Sequence, residues 1–233
     1  MNFSKPLKIY PTAMHACSYL PGQVARNAVV DPDLAMTMLV YDYLIKSGFR
    51  RSGNQVYRPY CESCNGCITT RIAVNEFKPD RSQRRNAKQN QDLQVIVNAN
   101  GFKPAYAGMY ARYVQSRHKD TEVDGVEDFL TAHWCDTLFV EFHDAEELIA
   151  VATIDKLASG LSAVYTFFDP EKGSKRGLGV FALLWQIDYA KQLGLDYVYP
   201  GYWIKDCRKM NYKTRYQPLE GLVHGVWQPL EKQ

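Results

Sequence analysis

Between residues 137 and 199 the order of apolar segments and breaks leaves few folds open. Three apolar segments, Thr137 to Phe142, Leu148 to Asp155 and Leu161 to Phe168, are separated by turn signals at His143-Asp144 and Ser159-Gly160. Connections this short join antiparallel neighbours as hairpins. A glycine-rich stretch from Lys172 to Gly179 follows, then a helix-period run from Val180 to Leu193 stopped by Gly194, then a strand from Leu195 to Tyr199. This order predicts a mixed, largely antiparallel sheet with a helix returning across it.

Upstream, Asp31-Pro32-Asp33 precedes apolar residues at Leu34, Met38, Tyr41 and Ile45, and Gly48 follows, which predicts an N-capped helix with a glycine stop. Phe49 to Tyr60 contains a Gly53-Asn54 turn between segments able to pair. From Phe77 to Asp92 almost nothing apolar intervenes, and this stretch reads as a linker or exposed edge. Pro104 opens a helix with Tyr106, Met109, Tyr110, Tyr113 and Val114 at helical spacing, and Val126 to His133 predicts a second, short one. Helix, antiparallel strands, glycine loop, helix, strand resembles the acyltransferases of the N-acetyltransferase superfamily, whose loop turns backbone N–H groups towards a phosphate-bearing donor. Their loop pattern is Gln/Arg-x-x-Gly-x-Gly/Ala. Ser174-Lys175-Arg176-Gly177-Leu178-Gly179 keeps both glycines but starts with Ser, and an ordinary strand-to-helix turn reads the same way. The expected class is α/β (α+β), with a cysteine-bearing region over 1–98 and an N-acetyltransferase-like domain over 99–233.

With 46% hydrophobic residues in 233 the chain can bury a core, and a net charge of +3 singles out no partner class. No run approaches the roughly 18 apolar residues of a membrane span, and Met1 to Tyr10 lacks a signal-peptide core, so a cytoplasmic protein is expected. Six cysteines there are reduced thiols or metal ligands. Cys61, Cys64 and Cys67 form a C-x2-C-x2-C run that suits zinc or an iron–sulfur cluster, with Cys17 the candidate fourth ligand; plain thiols are the alternative. Lys78, Arg81, Arg84, Arg85 and Lys88 stand against one acidic residue, Asp80: a phosphate-backbone contact or a solvated helix face. Arg117-His118-Lys119-Asp120 ends the Pro104 helix, where Arg117 and His118 can face a cleft and bind a carboxylate.

Cys17-Ser18-Tyr19-Leu20-Pro21-Gly22, Tyr57-Arg58-Pro59-Tyr60-Cys61 with the cysteine run and Arg71, and the stretch from Phe77 to Arg85 stand in one order. So do Tyr165 to Pro170, Gly177 to Leu184, Tyr199 to Ile204 and Lys209 to Lys213. Together these blocks resemble the arginyl- and leucyl-tRNA–protein transferase family, in its bacterial, leucine-transferring branch. Eukaryotic relatives pair two cysteines at the first site, whereas this chain has Cys17 alone there.

The resemblance implies leucyl-tRNA as donor, proteins beginning with Asp or Glu as acceptors, no cofactor required for transfer, and a product handed to N-degron proteolysis. It makes Lys78, Arg81, Arg84, Arg85, Lys88, Lys175 and Arg176 tRNA contacts, and Gly177 and Gly179 part of the donor cleft. Arg71, Arg117 and Lys213 become candidates for the acceptor carboxylate, and Asp169, Tyr202 and Tyr212 for organising the reacting centre. Arginine transfer, coenzyme A-dependent acetylation and a non-catalytic zinc or iron–sulfur RNA-binding module are the alternatives.

Overall fold

A computed structural model describes residues 6–118 and 125–232, the side chains of His118 and Ser174 excepted. Lys119, Asp120 and the His118 side chain of the expected cleft-facing group therefore lie outside the described residues. In chain order the elements are β1 (Ile9–Pro11), β2 (His15–Ala16), β3 (Val24–Ala25), β4 (Asn27–Val30), α1 (Met38–Lys46), β5 (Arg50–Ser52), β6 (Gln55–Pro59), β7 (Ile68–Ala73), α2 (Arg81–Gln89) and β8 (Gln94–Asn98). There follow α3 (Pro104–His118), α4 (Val126–Leu130), β9 (Thr137–Asp144), β10 (Glu147–Lys156), β11 (Gly160–Phe168), α5 (Pro170–Arg176), α6 (Leu178–Gln192), β12 (Tyr197–Trp203), a 3-10 turn (Asn211–Arg215), β13 (Leu219–Val223) and β14 (Val226–Leu230).

Eight strands form one sheet in the order β14-β13-β7-β12-β11-β10-β9-β8, beside a four-stranded sheet β1-β4-β6-β5 and a β2-β3 pair. The meander expected over 137–168 is present as β9, β10 and β11, with antiparallel registers such as Ala152↔Val140 and Ala152↔Thr166. β7 and β8 both precede residue 99, so the large sheet draws strands from both sides of the 98/99 division. Alternation along β9 and β10 splits the core. Val140, Phe142, Ala150 and Ala152 face Leu178, Phe181, Ala182 and Ile187 of α6, while Phe139 and Val151 face Tyr106 and Met109 of α3. Each large apolar side chain so buried contributes roughly 1.5–3 kcal/mol. A third cluster packs α1 and the small sheet, through Tyr41, Leu44, Ile45 and Val56, onto Tyr199 of β12.

Three local expectations are corrected. α1 begins at Met38 because Thr37, not Asp31-Pro32-Asp33, caps it: the Thr37 hydroxyl accepts the Val40 N–H at 3.3 Å, while Asp31 turns back to the Asp33 N–H at 3.1 Å. The stretch read as a linker is helix α2, started by a reciprocal capping box in which Asp80 accepts from the Gln83 N–H at 2.9 Å and Gln83 from the Asp80 N–H at 2.8 Å. The glycine-rich loop is two helices meeting at Gly177, whose φ of +65° ends α5 and starts α6. Asp169 caps α5 and Pro170 occupies its first turn, so the start signals lie just ahead of the stretch that reads as loop. Among the described residues no helix is long and apolar enough to cross a membrane.

Candidate active site

β11 and β12 pair in parallel only from Gly160↔Tyr197 to Ser162↔Tyr199. Beyond that point β11 stays with β10 as far as Phe168, and β12 stays with β7, its ladder interrupted after Val198 and resumed from Gly201. Carbonyls at such a fork lose their ladder partners and need others. Arg50, the first residue of β5 and buried, supplies them: one guanidinium nitrogen donates to the Tyr199 carbonyl at 3.0 Å and another to the Ala163 carbonyl at 2.6 Å. One side chain from the N-terminal region thus sets the width of the fork.

Lys213, in the 3-10 turn, is 3% exposed; its ammonium donates to the Met210 sulfur at 3.6 Å and lies 4.9 Å from the centre of the Tyr212 ring. Burial first, then the Arg50 charge, lower its pKa to about 7. The buried carboxylates have other partners: Asp42 holds Lys46 at 2.7 Å, Glu141 holds Lys103 at 2.6 Å and His143 at 2.9 Å, and Asp155 holds Arg51 at 2.6 Å. None of the ion pairs among the described residues includes Arg50 or Lys213. Among the described residues neither cation has a carboxylate within ion-pair distance, an arrangement suited to an anion from outside.

A cavity of about 780 Å³ lies alongside, lined by Cys17, Tyr19, Tyr57, Cys61, Cys64, Cys67 and Tyr202 among others. Tyr202 donates its hydroxyl to the Gly48 carbonyl at 3.1 Å; burial raises its pKa well above the usual range against the opposing charge of Arg50, so it stays protonated as a hydrogen-bond donor. The cysteines do share one cavity. The Leu20 N–H reaches Cys17 Sγ and the Gly66 N–H reaches Cys64 Sγ, both at 3.4 Å, bonds that a thiolate ligand accepts. Burial pushes the Cys67 thiol to about 12, with Cys61, Cys17, Cys64 and Cys207 adding to it, crowding that a bound cation relieves. The donor set therefore suits a thiophilic metal in kind, although among the described residues no three metal-ligating side chains are drawn to one point.

Arg81, Arg84, Arg85 and Lys88 of α2 are exposed, with Lys78 before it and Lys175 across from its end. Arg176 is committed elsewhere, holding Asp92 through two bonds at 3.0 and 2.8 Å.

Comparison with known proteins places these features. Residues 15–85 match the N-terminal region of the arginine-tRNA-protein transferases, and residues 105–223 match their C-terminal region. The chain belongs to the arginine-tRNA-protein transferase family. Within it, the chain is 44% identical to the aspartate/glutamate leucyltransferase of Hahella chejuensis, over 97% of this chain and 99% of that one. It is 46% identical to the enzyme of the same name from Pseudomonas fluorescens, over 95% and 96%, and to that from Teredinibacter turnerae, over 95% and 93%. Among solved structures it overlaps L-PGS from Bacillus licheniformis with a TM-score of 0.46 and 12% identity, over 58% of this chain and 45% of that one.

The remaining expected residues of this transferase fall into two further groups. Asp169 caps α5, accepting the Glu171 and Lys172 N–H groups at 3.0 and 3.1 Å, with an Arg112 nitrogen at 3.9 Å. Nearby, Arg117 lies over the Phe168 ring at 5.5 Å, and the same ring leaves no space for a side chain at Gly173 and passes 3.6 Å from where one on Gly179 would begin. Arg71, by contrast, is held on the β7 side between the rings of Tyr197 and Trp227, at 3.9 and 4.3 Å, and bonded to Glu220 at 2.6 Å. Sequence reasoning missed Arg50. A charged Arg50-Arg51 doublet opening a short strand reads as an exposed edge, and the only local hint was its place just after the Gly48 stop.

Proposed function

We propose that this transferase moves leucine from leucyl-tRNA to the N-terminal α-amine of proteins beginning with Asp or Glu, in the cytoplasm, and that the product enters N-degron proteolysis. Likeness to leucyltransferases over 95–97% of the chain carries the choice of donor and acceptor. The geometry agrees with it. Exposed Lys78, Arg81, Arg84, Arg85, Lys88 and Lys175 suit a phosphate backbone, while Arg176, paired with Asp92, is the member of that set with least to offer one.

The ester of charged tRNA is already activated, so transfer asks mainly for placement. The acceptor's α-amine, with a pKa of roughly 7.7–8.0, is partly neutral near pH 7 and attacks the ester carbonyl carbon. A C–N bond forms, the C–O bond to the terminal ribose breaks, and the amine proton ends on the ribose oxygen. Lys213, in its charged form, supplies the counter-charge for the acceptor's side-chain carboxylate, with Arg50 adding to the local field; Arg71 and Arg117 are the less favoured candidates, because Arg71 already holds Glu220. Asp169 fixes α5 and hence the turn at Gly177, Tyr202 offers a neutral hydroxyl, and Tyr212 flanks Lys213.

Cys17, Cys61, Cys64 and Cys67 would hold zinc or an iron–sulfur cluster, tying the β2-β3 pair to the segment before β7. Such a centre supplies structural cross-linking and no step of the transfer. Metal analysis of protein purified without oxygen tests this, with fewer than one bound equivalent counting against it.

The deciding assay for function is transfer of labelled leucine and, separately, arginine from charged tRNA to peptides differing only in an initial Asp, Glu or Ala. Leucine on the acidic peptides alone is expected. Arginine in its place would move the enzyme to the arginine branch, and transfer to the Ala peptide would remove the acceptor assignment.

A further inference from the structure

Helix α2 is polar on both faces, and each face is polar in a different way. Arg81, Arg84, Arg85 and Lys88 are exposed. Gln83, Asn86 and Asn90, spaced i, i+3, i+7, turn inward, and Gln83 and Asn90 are 5% and 0% exposed. Their amides donate to backbone carbonyls of two other segments. Asn86 reaches the Arg176 carbonyl at 2.9 Å and that of Gly177 at 3.3 Å, Asn90 the Arg176 carbonyl at 3.0 Å, and Gln89 that of Lys175 at 3.3 Å. Gln83 reaches the Arg215 carbonyl at 3.1 Å.

The Lys175 and Arg176 carbonyls belong to the last turn of α5, where carbonyls lack helical partners of their own, while that of Gly177 opens α6 and also accepts the Val180 and Phe181 N–H groups. The fourth closes the 3-10 turn that carries Lys213. Apolar contact fixes a distance loosely, whereas an amide-to-carbonyl bond fixes distance and direction. Ala87 is the one apolar residue of α2, and it packs against the main core. Asn86 is also so close to Gly177 that a side chain there would begin 2.7 Å from its amide nitrogen.

We propose that Gln83, Asn86 and Asn90 are positioning residues: they transmit the seating of tRNA on the outer face of α2 to the Gly177 turn and to the Lys213 turn, on either side of the reacting centre. The proposal rests on the tRNA-contact reading above. Binding energy gained at α2 then appears as turnover and not only as affinity.

The test uses the full chain with Asn86→Ala, Gln83→Ala and, as contrast, Arg84→Ala/Arg85→Ala. For the amide variants the expected result is a leucyl-tRNA Kd within about twofold of wild type with kcat lowered about tenfold or more; for the arginine variant, Kd raised and kcat lowered together. An amide variant with unchanged kcat, or one whose loss lies wholly in tRNA affinity, overturns the proposal. So does a loss of kcat matched by a loss of folded protein in thermal melts; Gln89→Ala, which removes the exposed bond to the Lys175 carbonyl beside the row, repeats the measurement with little risk to folding.

A second readout needs no transfer chemistry. On adding tRNA, exchange of the Val180 and Phe181 amides, both bonded to the Gly177 carbonyl, slows in wild type and not in Asn86→Ala. Equal slowing in both, or no slowing in wild type, overturns the coupling. Absence of leucine transfer by wild type, with the exchange difference intact, would instead sink the functional reading and leave the coupling standing.

Discussion

Arg50 and Arg51 are neighbours in sequence, both are buried, and they have been put to different ends. Arg51 is paired with a carboxylate: it grips Asp155 through bonds at 2.7 and 2.6 Å, and also reaches the Leu130 carbonyl and the Thr137 hydroxyl, at 2.9 and 3.0 Å, leaving one buried guanidinium nitrogen without a hydrogen bond. Arg50 bonds the two carbonyls of the strand fork, and among the described residues neither it nor the nearby Lys213 forms an ion pair with a carboxylate. A buried cation with its own carboxylate has its charge neutralised inside the fold, whereas buried cations without one leave a field that a substrate can satisfy. Because strand alternation sends consecutive residues to opposite faces, the doublet places a charge paired with Asp155 on one side and one aimed at the strand fork on the other.

The comparison can be broken most decisively on its structural side. Asp155→Asn leaves Arg51 charged and unpaired in the core, and is expected to cost about 3–5 kcal/mol of stability by denaturant unfolding, with little change in the turnover of molecules that remain folded. A variant as stable as wild type would show that Arg51 does not depend on this carboxylate.

Next in size, Lys213→Met removes a cation that already lacks a partner. Stability should stay level or rise, while kcat/KM for peptides beginning with Asp or Glu falls on the order of 100-fold, the cost of leaving a substrate carboxylate without its charge partner. A drop in melting temperature as large as that of Asp155→Asn would erase the distinction between the two regions.

Arg50→Lys keeps the charge but loses the two-pronged reach to the Tyr199 and Ala163 carbonyls. About a tenfold loss of kcat is expected with acceptor preference retained, on the scale of one misplaced positioning group. Loss of preference for Asp and Glu with kcat retained would instead make Arg50 part of the carboxylate site.

The smallest effect is in pH. With its pKa lowered to about 7, Lys213 in the free enzyme loses its charge as pH climbs through that value. The acceptor amine titrates alike in an Asp and an Asn peptide, so the ratio of their kcat/KM values isolates Lys213 and should fall as pH rises through about 7. Stability has the opposite sign: above about pH 7 the unfolded chain holds a Lys213 proton that the folded one has shed, so this group's contribution rises with pH up to roughly 10.4, the ordinary lysine value. Lys213→Met should flatten both dependences.

Much of the frame was legible from residues alone. The β9 to β11 meander, α3, α6 and the hairpin at Gly53-Asn54 follow from local periodicity and turn chemistry, which depend on neighbours in sequence. The cysteine run was legible as candidate metal ligands from its spacing, whereas Lys213 and Tyr202 were nominated only through the family resemblance. Helix α2 was hidden because its inner face is amide and not apolar, so it lacks the hydrophobic period by which a docked helix is known.

What tertiary structure decided was which of these residues meet. Insertion of β7 between β12 and β13, the arrival of Arg50 at a fork made by strands more than a hundred residues downstream, the pairing of Arg51 with Asp155 and of Arg71 with Glu220, and the gathering of four cysteines beside Tyr202 all join distant segments. Residue types and spacings determine the elements and the chemistry on offer. Which charge is neutralised, and which is left for a substrate, depends on long-range contacts that no local pattern encodes.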